Sequence, residues 1–239
     1  MEKDSILIIP DVHGRMFWKS AVENFPDIPT IFLGDYHDPY PQEGITNAQS
    51  LRNFKEIIEY VKCHLNCKLL IGNHDLHYLV DIDGCRKDFG NEPIVRRLLL
   101  DNLNLFDLAA TRIINGKKYL FSHAPILKEW IHEVGETENV DLLVNRLNRY
   151  FHDIENKGDE LQNLLDRVSR YRGGWNAWGS PIWSDLYEIY DSGGTLIETA
   201  DYSIFGHSQL KRPLITKECA CLDTHNAYLL SSIGEIKPV

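Results

Sequence analysis

The sequence predicts an α/β fold, on three observations. Apolar runs at 5–10 (SILIIP), 30–33 (TIFL) and 68–71 (KLLI) are too short for helices and read as buried strands. Stretches with helical periodicity lie between them, which implies parallel β-α-β units. A break rich in Gly, Asp, His or Asn follows each run. In order along the chain, 15–24 reads as the first helix and 46–64 as the second. In the second, Leu51, Phe54, Ile57, Ile58 and Val61 recur at three- and four-residue steps and mark one buried face. Residues 92–102 read as helix, and 109–122 as a hairpin turning at Asn115-Gly116. Residues 139–170 form a polar-rich helical region with a break near 157–159. The segment RGGWNAWGSPIW at 172–183 is a loop or cap, and 202–205, 219–222 and 228–231 are later strands. No repeat or linker divides the chain, so residues 1–239 are expected to form one domain, with 126–190 as a helical insertion over one edge.

Composition narrows the function. The 239 residues carry 25 Lys and Arg against 35 Asp and Glu, a formal charge of −10, which opposes a nucleic-acid backbone as the main partner. No stretch approaches the roughly 20 apolar residues of a membrane span. The apolar run near the N-terminus is too brief for a signal peptide core, so a cytoplasmic protein is expected. Five cysteines without CxxC spacing fit a reducing compartment, and packing is the expected role of Cys63, Cys67, Cys219 and Cys221.

The strand ends carry the chemistry. Behind the apolar runs come Asp11 and His13, then Gly34-Asp35 and Asp38, then Gly72-Asn73-His74-Asp75, then Ser122-His123-Ala124, then Gly206-His207-Ser208. Each motif alone is weak, since Asn and Asp favour turns and a single histidine is usually structural. Carboxyl ends of strands in open α/β sheets are where ligands bind, so residues scattered in sequence can converge there. Carboxylate and amide oxygens with imidazole nitrogens suit Mn, Fe or Zn, and the absence of cysteine opposes a structural zinc site.

The set D-x-H, G-D-x-x-D, G-N-H-D, S-H-A and G-H resembles the calcineurin-like metallophosphoesterases, and within them the bacterial and phage phosphoprotein phosphatase group. The likeness runs over about residues 6–225 and includes a W-S-D stretch at Trp183-Ser184-Asp185. It implies a four-layer αββα sandwich and two divalent metal ions, manganese first, with iron or zinc as substitutes. Asp11 and His13 would bind the first ion, Asp35 would bridge, and Asn73, His123 and His207 would bind the second. The pair would share a hydroxide that attacks phosphorus in line. His74 would protonate the leaving oxygen, with Asp38 orienting its ring and favouring the imidazolium. Asp75 could assist.

Two departures from the resembled pattern matter. Some branches read G-H-x-H, the last histidine binding the first metal, whereas this chain has Gly206-His207-Ser208-Gln209, as in the phosphoprotein phosphatase group. That group also places phosphate-gripping arginines after Asp38 and before the GNH glycine, where this chain has Pro39 and Ile71. Arg172, Arg170 and Arg15 are the candidate replacements. Trp175, Trp178 and Trp183 could line a pocket or serve as core or lid. His37 is expected behind the site, His225 is undecided, and His64, His77, His132 and His152 are expected at the surface or in structural roles. The substrate is a phosphorylated protein, a small phosphorylated metabolite or a dinucleoside polyphosphate. The competing class is a metal-free scaffold on the same fold, which the complete ligand set disfavours.

Overall fold

The computed structural model of the protein describes residues 4–82 and 86–239, so Cys85 lies outside the described residues. The first half alternates strand and helix: β1 (Ile6–Ile9), α1 (Phe17–Asn24), β2 (Thr30–Phe32), α2 (Asn47–Cys63) and β3 (Cys67–Leu70). A four-residue turn of helix, α3 (Asn73–Leu76), then α4 (Glu92–Leu100) and the short β4 (Phe106–Asp107) complete it. The strands β1 to β4 are parallel, with Ile8 opposite Ile31 and Ile31 opposite Lys68. Thr46 starts α2 through a capping box with Gln49, which satisfies backbone donors at the helix start.

The second sheet begins with the expected hairpin, β5 (Ala109–Ile114) and β6 (Lys117–Ser122), turned at Asn115 and Gly116, both with positive φ. Four helices follow: α5 (Lys128–Val134), α6 (Val140–His152), α7 (Ile154–Leu165) and α8 (Leu186–Tyr190). The chain then returns as β7 (Tyr202–Phe205), β8 (Leu214–Ile215) and β9 (Cys219–Cys221), with β7 parallel to both β6 and β9. Finally β10 (Tyr228–Leu230) and β11 (Ile236–Pro238) rejoin the first sheet beside β1.

Strand periodicity explains the layering. Ile6, Ile8, Ile31 and Leu70 face one way and meet Phe121, Ile204, Ala220 and Leu222 of the second sheet, forming the core between sheets. Leu7, Ile9, Phe32 and Leu69 face the other way, against Trp18 and Val22 of α1 and Phe54, Ile57 and Ile58 of α2. On the outer side of the second sheet, Phe205, Cys219 and Cys221 pack on Leu186 of α8. The αββα order follows. Strands of three or four residues are held chiefly by this double burial, since each buried Ile, Leu or Phe contributes about 1.5–3 kcal/mol.

Three expectations need correction. The helical break falls at Asp153, between α6 and α7, while Gly158 lies inside α7. The turn at 153 buries both Phe151 and Ile154, and that burial outweighs the roughly 1 kcal/mol cost of a mid-helix glycine. Residues 166–169 are not helical. Cys63 is exposed at the end of α2, while Cys219 and Cys221 are packed. No helix among the described residues is long and apolar enough to cross a membrane.

Candidate metal centre

Both sheets point the carboxyl ends of their parallel strands at one place. Asp11 and His13 follow β1, Asp35 and Asp38 follow β2, and Asn73 and His74 follow β3. From the second sheet, His123 follows β6 and His207 follows β7. All eight are buried. The His123 Nε2 lies 2.9 Å from Asn73 Oδ1, 3.0 Å from His207 Nδ1 and 3.6 Å from Asp35 Oδ2. On the other side, His13 Nε2 is 3.3 Å from the same Asp35 oxygen. Two groups therefore overlap at Asp35: it joins His13 and His74 in one and His123 and His207 in the other, with donor atoms within 4.8 Å in each.

The local backbone aims these groups. His13 Nδ1 donates outward to the carbonyls of His37 and Asp38, and His123 Nδ1 donates to that of Leu33, which leaves both Nε2 atoms bare toward the centre. Asp75 pins the Asp35 loop, its carboxylate accepting from the backbone N–H of Asp35 (2.7 Å), Gly72 (2.9 Å) and Tyr36 (3.0 Å). Asp75 thus acts through backbone, on the loop that bears Asp35. Two glycines are required by close approach: a Cβ on Gly72 would sit 2.1 Å from Asp35 Oδ1, and one on Gly206 would sit 2.1 Å from Asp11 Oδ1. Asp11 also accepts from the His207 N–H at 2.9 and 3.2 Å. His13, Asp35, Asp38 and His207 all hold positive φ, a conformation that side chains with a Cβ adopt only when their surroundings enforce it.

Around His74 the structure adds residues that the motifs did not reveal. Asp38 Oδ2 is 3.1 Å from His74 Nδ1, while Tyr78 donates to Asp38 Oδ1 at 2.5 Å and the Asp88 N–H donates to it at 3.1 Å. His77 Nε2 comes within 2.9 Å of the same carboxylate, out of line for its ring N–H. His77, expected at the surface or in a structural role, is buried here. Its spacing of three from His74, like Tyr78's spacing of four, is the helical signal that could have found both. His37 stands behind the loop, bonded to Ser50 and Asp88.

Electrostatics follow from this packing. Burial works against the Asp35 anion, but His123, His74 and His13 outweigh it and hold its pKa well below the carboxylate range. Burial likewise opposes the Asp38 anion, yet contacts with His74, His77 and Tyr78 keep its pKa low. Burial lowers the His74 pKa overall, although Asp35 and Asp38 pull the other way and Asp38, as expected, favours the imidazolium. Burial, helped by Arg172 and His123, drives the His207 pKa well down and favours its neutral ring.

The candidate cations divide sharply. Arg15 is held by Glu43, Nε at 2.8 Å and Nη2 at 2.6 Å, and by the Asp11 carbonyl, so its fork is occupied. Arg170 is exposed and lines a separate hollow with Tyr171, Ala177, Trp178 and Ser192. Arg172 reaches the cluster edge, donating to the His207 carbonyl at 2.8 Å and lying 2.7 Å from Asp185. Arg86 was missed. It donates to the Asp38 carbonyl at 2.8 Å and stacks 3.8 Å over the Tyr40 ring, which meets His13 edge-on. Nothing local in sequence marks it, since it lies 48 residues from Asp38. Trp175 is 96% exposed, whereas Trp183 is buried with its ring edge-on to His207.

These residues fit a pair of divalent cations. Two imidazole nitrogens 3.0 Å apart, beside carboxylates and an amide oxygen, form a donor set of the kind that Mn, Fe and Zn accept. The buried acidic oxygens need positive charge that the protein itself supplies only in part.

A sequence model of the calcineurin-like phosphoesterase family matches residues 5–210. Among solved structures, the protein is similar to a cold-active protein-tyrosine phosphatase of a psychrophilic Shewanella species. The TM-score is 0.57 and the identity 14%, covering 98% of this chain and 80% of that one. A second structure, described as a cold-active protein tyrosine phosphatase, aligns with the same score and identity over 78% of its length. At that identity the likeness is one of fold. No curated protein matches this chain in sequence.

Proposed function

The chain belongs to the calcineurin-like phosphoesterase family, and on that premise we propose that it hydrolyses phosphomonoesters at the Asp35 cluster, with His74 donating the proton. The observation that carries the reading is Asp35, whose carboxylate belongs to two donor groups at once, as a bridging ligand must. Asp11 and His13 would hold one ion with it, and Asn73, His123 and His207 would hold the other. Two divalent ions bound there, manganese first, supply Lewis acidity that activates water and neutralises phosphoryl charge.

The chain's own groups do the rest. Asp38 occupies His74 Nδ1, so Nε2 is the nitrogen that faces a leaving oxygen. Because burial disfavours the His74 cation, the charge of a bound phosphate dianion is what restores its proton. Arg86 and Arg172 replace the absent arginines and grip phosphate oxygens from opposite sides of the cluster. Arg15, saturated by Glu43, instead fixes the loop that carries Asp11 and His13. A phosphorylated protein side chain is the first substrate reading, since the two similar structures are described as protein-tyrosine phosphatases. A dinucleoside polyphosphate is the second reading, favoured by the hollow of about 490 Å³ beside Arg15, Arg52 and Gln49.

The test is an assay of metal-stripped protein with Mn added back, on p-nitrophenyl phosphate and its bis ester. Faster turnover of the monoester is expected. No turnover on either ester or on a nucleotide panel would sink the enzyme reading, and preference for the bis ester would sink the monoester assignment.

A further inference from the structure

Asp223 is a carboxylate that the family motifs leave without a task. It follows β9, next to β7 in the second sheet, where Phe205 pairs with Cys221 and the Leu222 N–H donates to the Phe205 carbonyl. Continuing that parallel register sets Asp223 beside His207. The other neighbour of His207 is Asp11, whose carboxylate accepts the His207 N–H. Two acidic side chains therefore flank the same strand end.

Asp223 is 3% exposed, and its Oδ1 is buried without a hydrogen-bond donor among the described residues. The charged groups that act on it most strongly are Asp11, His13, Arg15 and Asp35, so it faces the Asp11–His13 side of the cluster. Arg15, the guanidinium in that set, is bound to Glu43 and the Asp11 carbonyl. Cys221 and Leu222, which precede Asp223, and Gln209, across from it, bring no charge. His225, two residues on, contacts Gln209 instead. A carboxylate with a buried oxygen that has no donor, close to two other acids, is costly unless a cation or a proton compensates it. The same side of the cluster is the poorer in donors, because Ser208 and Gln209 offer no histidine there.

We propose that Asp223 is an additional ligand for the divalent ion held by Asp11 and His13, bound directly or through one ordered water. The proposal rests on the two-ion reading above and deepens it: the second sheet then contributes to both ions, and the absent histidine is replaced by a carboxylate from the next strand.

The experiment compares wild type with Asp223→Asn by Mn titration calorimetry and by metal content after gel filtration. Asparagine keeps the size of the side chain and mimics a protonated acid. Wild type is expected to hold two ions, and Asp223→Asn to hold one at unchanged affinity and the other about tenfold or more weakly. Without metal, the variant is expected to melt at or above wild type, because an unpaired carboxylate has been removed. Two ions at wild-type affinity in Asp223→Asn would overturn the role of Asp223 and leave the two-ion site standing. A lower melting temperature of the metal-free variant would show that protein groups hold the carboxylate, which also overturns it. Fewer than two ions in wild type would bring down the two-ion reading, and this inference with it.

Discussion

The two sides of the cluster are built differently. Around His123, Asn73 Oδ1 and His207 Nδ1 already lie within 3.0 Å of His123 Nε2, and the three come from three strands in two sheets. Around His13 the donors are looser, the ring nitrogen standing 3.3 Å from Asp35 and Asp11 turned onto a backbone N–H. One side is pre-assembled by imidazole and amide groups, the other by carboxylates that repel until a cation joins them. On the proposed two-ion reading, the difference predicts that Asp35 would link a tightly held ion to an exchangeable one. Graded chelation is expected to remove the Asp11–His13 ion first.

The largest expected effect comes from erasing what both sides share. Asp35→Asn should cut turnover more than about 100-fold, beyond the range typical of an outer partner, and should reduce binding of both ions. Loss of a single ion, seen by metal analysis, would mean that Asp35 serves one side alone. Next comes His74→Asn, which leaves both sides in place and removes the proton donor. Its kcat should drop by about 10²–10⁴ with metal content unchanged, and drop less on an ester whose leaving group needs no proton. A smaller loss, about tenfold in kcat, is expected for Tyr78→Phe, which withdraws the 2.5 Å hydrogen bond that positions Asp38. If kcat is untouched while only stability falls, Tyr78 is structural. Smallest is the contrast between two nearby arginines. Arg172→Ala should raise KM several-fold, while Arg170→Ala and Trp175→Ala should change neither kinetics nor stability beyond about 0.5 kcal/mol.

Much of this was legible from sequence because each donor follows a short apolar run, and a parallel sheet brings such positions together without further information. The helix α2 was equally plain, its apolar face repeating from Leu51 to Val61, about three turns. What stayed hidden depends on pairing across the fold. Glu43 claims Arg15 from 28 residues away, Arg86 reaches Asp38 across 48, and Asp223 acquires its neighbours only through the register of β9 on β7. The strands β4, β8 and β11 are two or three residues long and carry no periodicity of their own. The misplaced break at 157–159 came from weighting a glycine above the burial of Phe151 and Ile154. The pairing of Asp38 with His74 was visible, but the burial that lowers the His74 pKa was not.

The positive-φ residues have a consequence for how the protein responds to selection. His13, Asp35, Asp38, His207 and His225 each hold a conformation that costs a non-glycine residue about 1–2 kcal/mol. Glycine at the partly exposed His225 should therefore raise thermal stability, whereas at the first four the loss of buried hydrogen bonds, such as Tyr78 to Asp38, offsets the relief and turnover should be abolished. His225, outside the assigned catalytic set, is the one where the same substitution is expected to give robustness with activity retained.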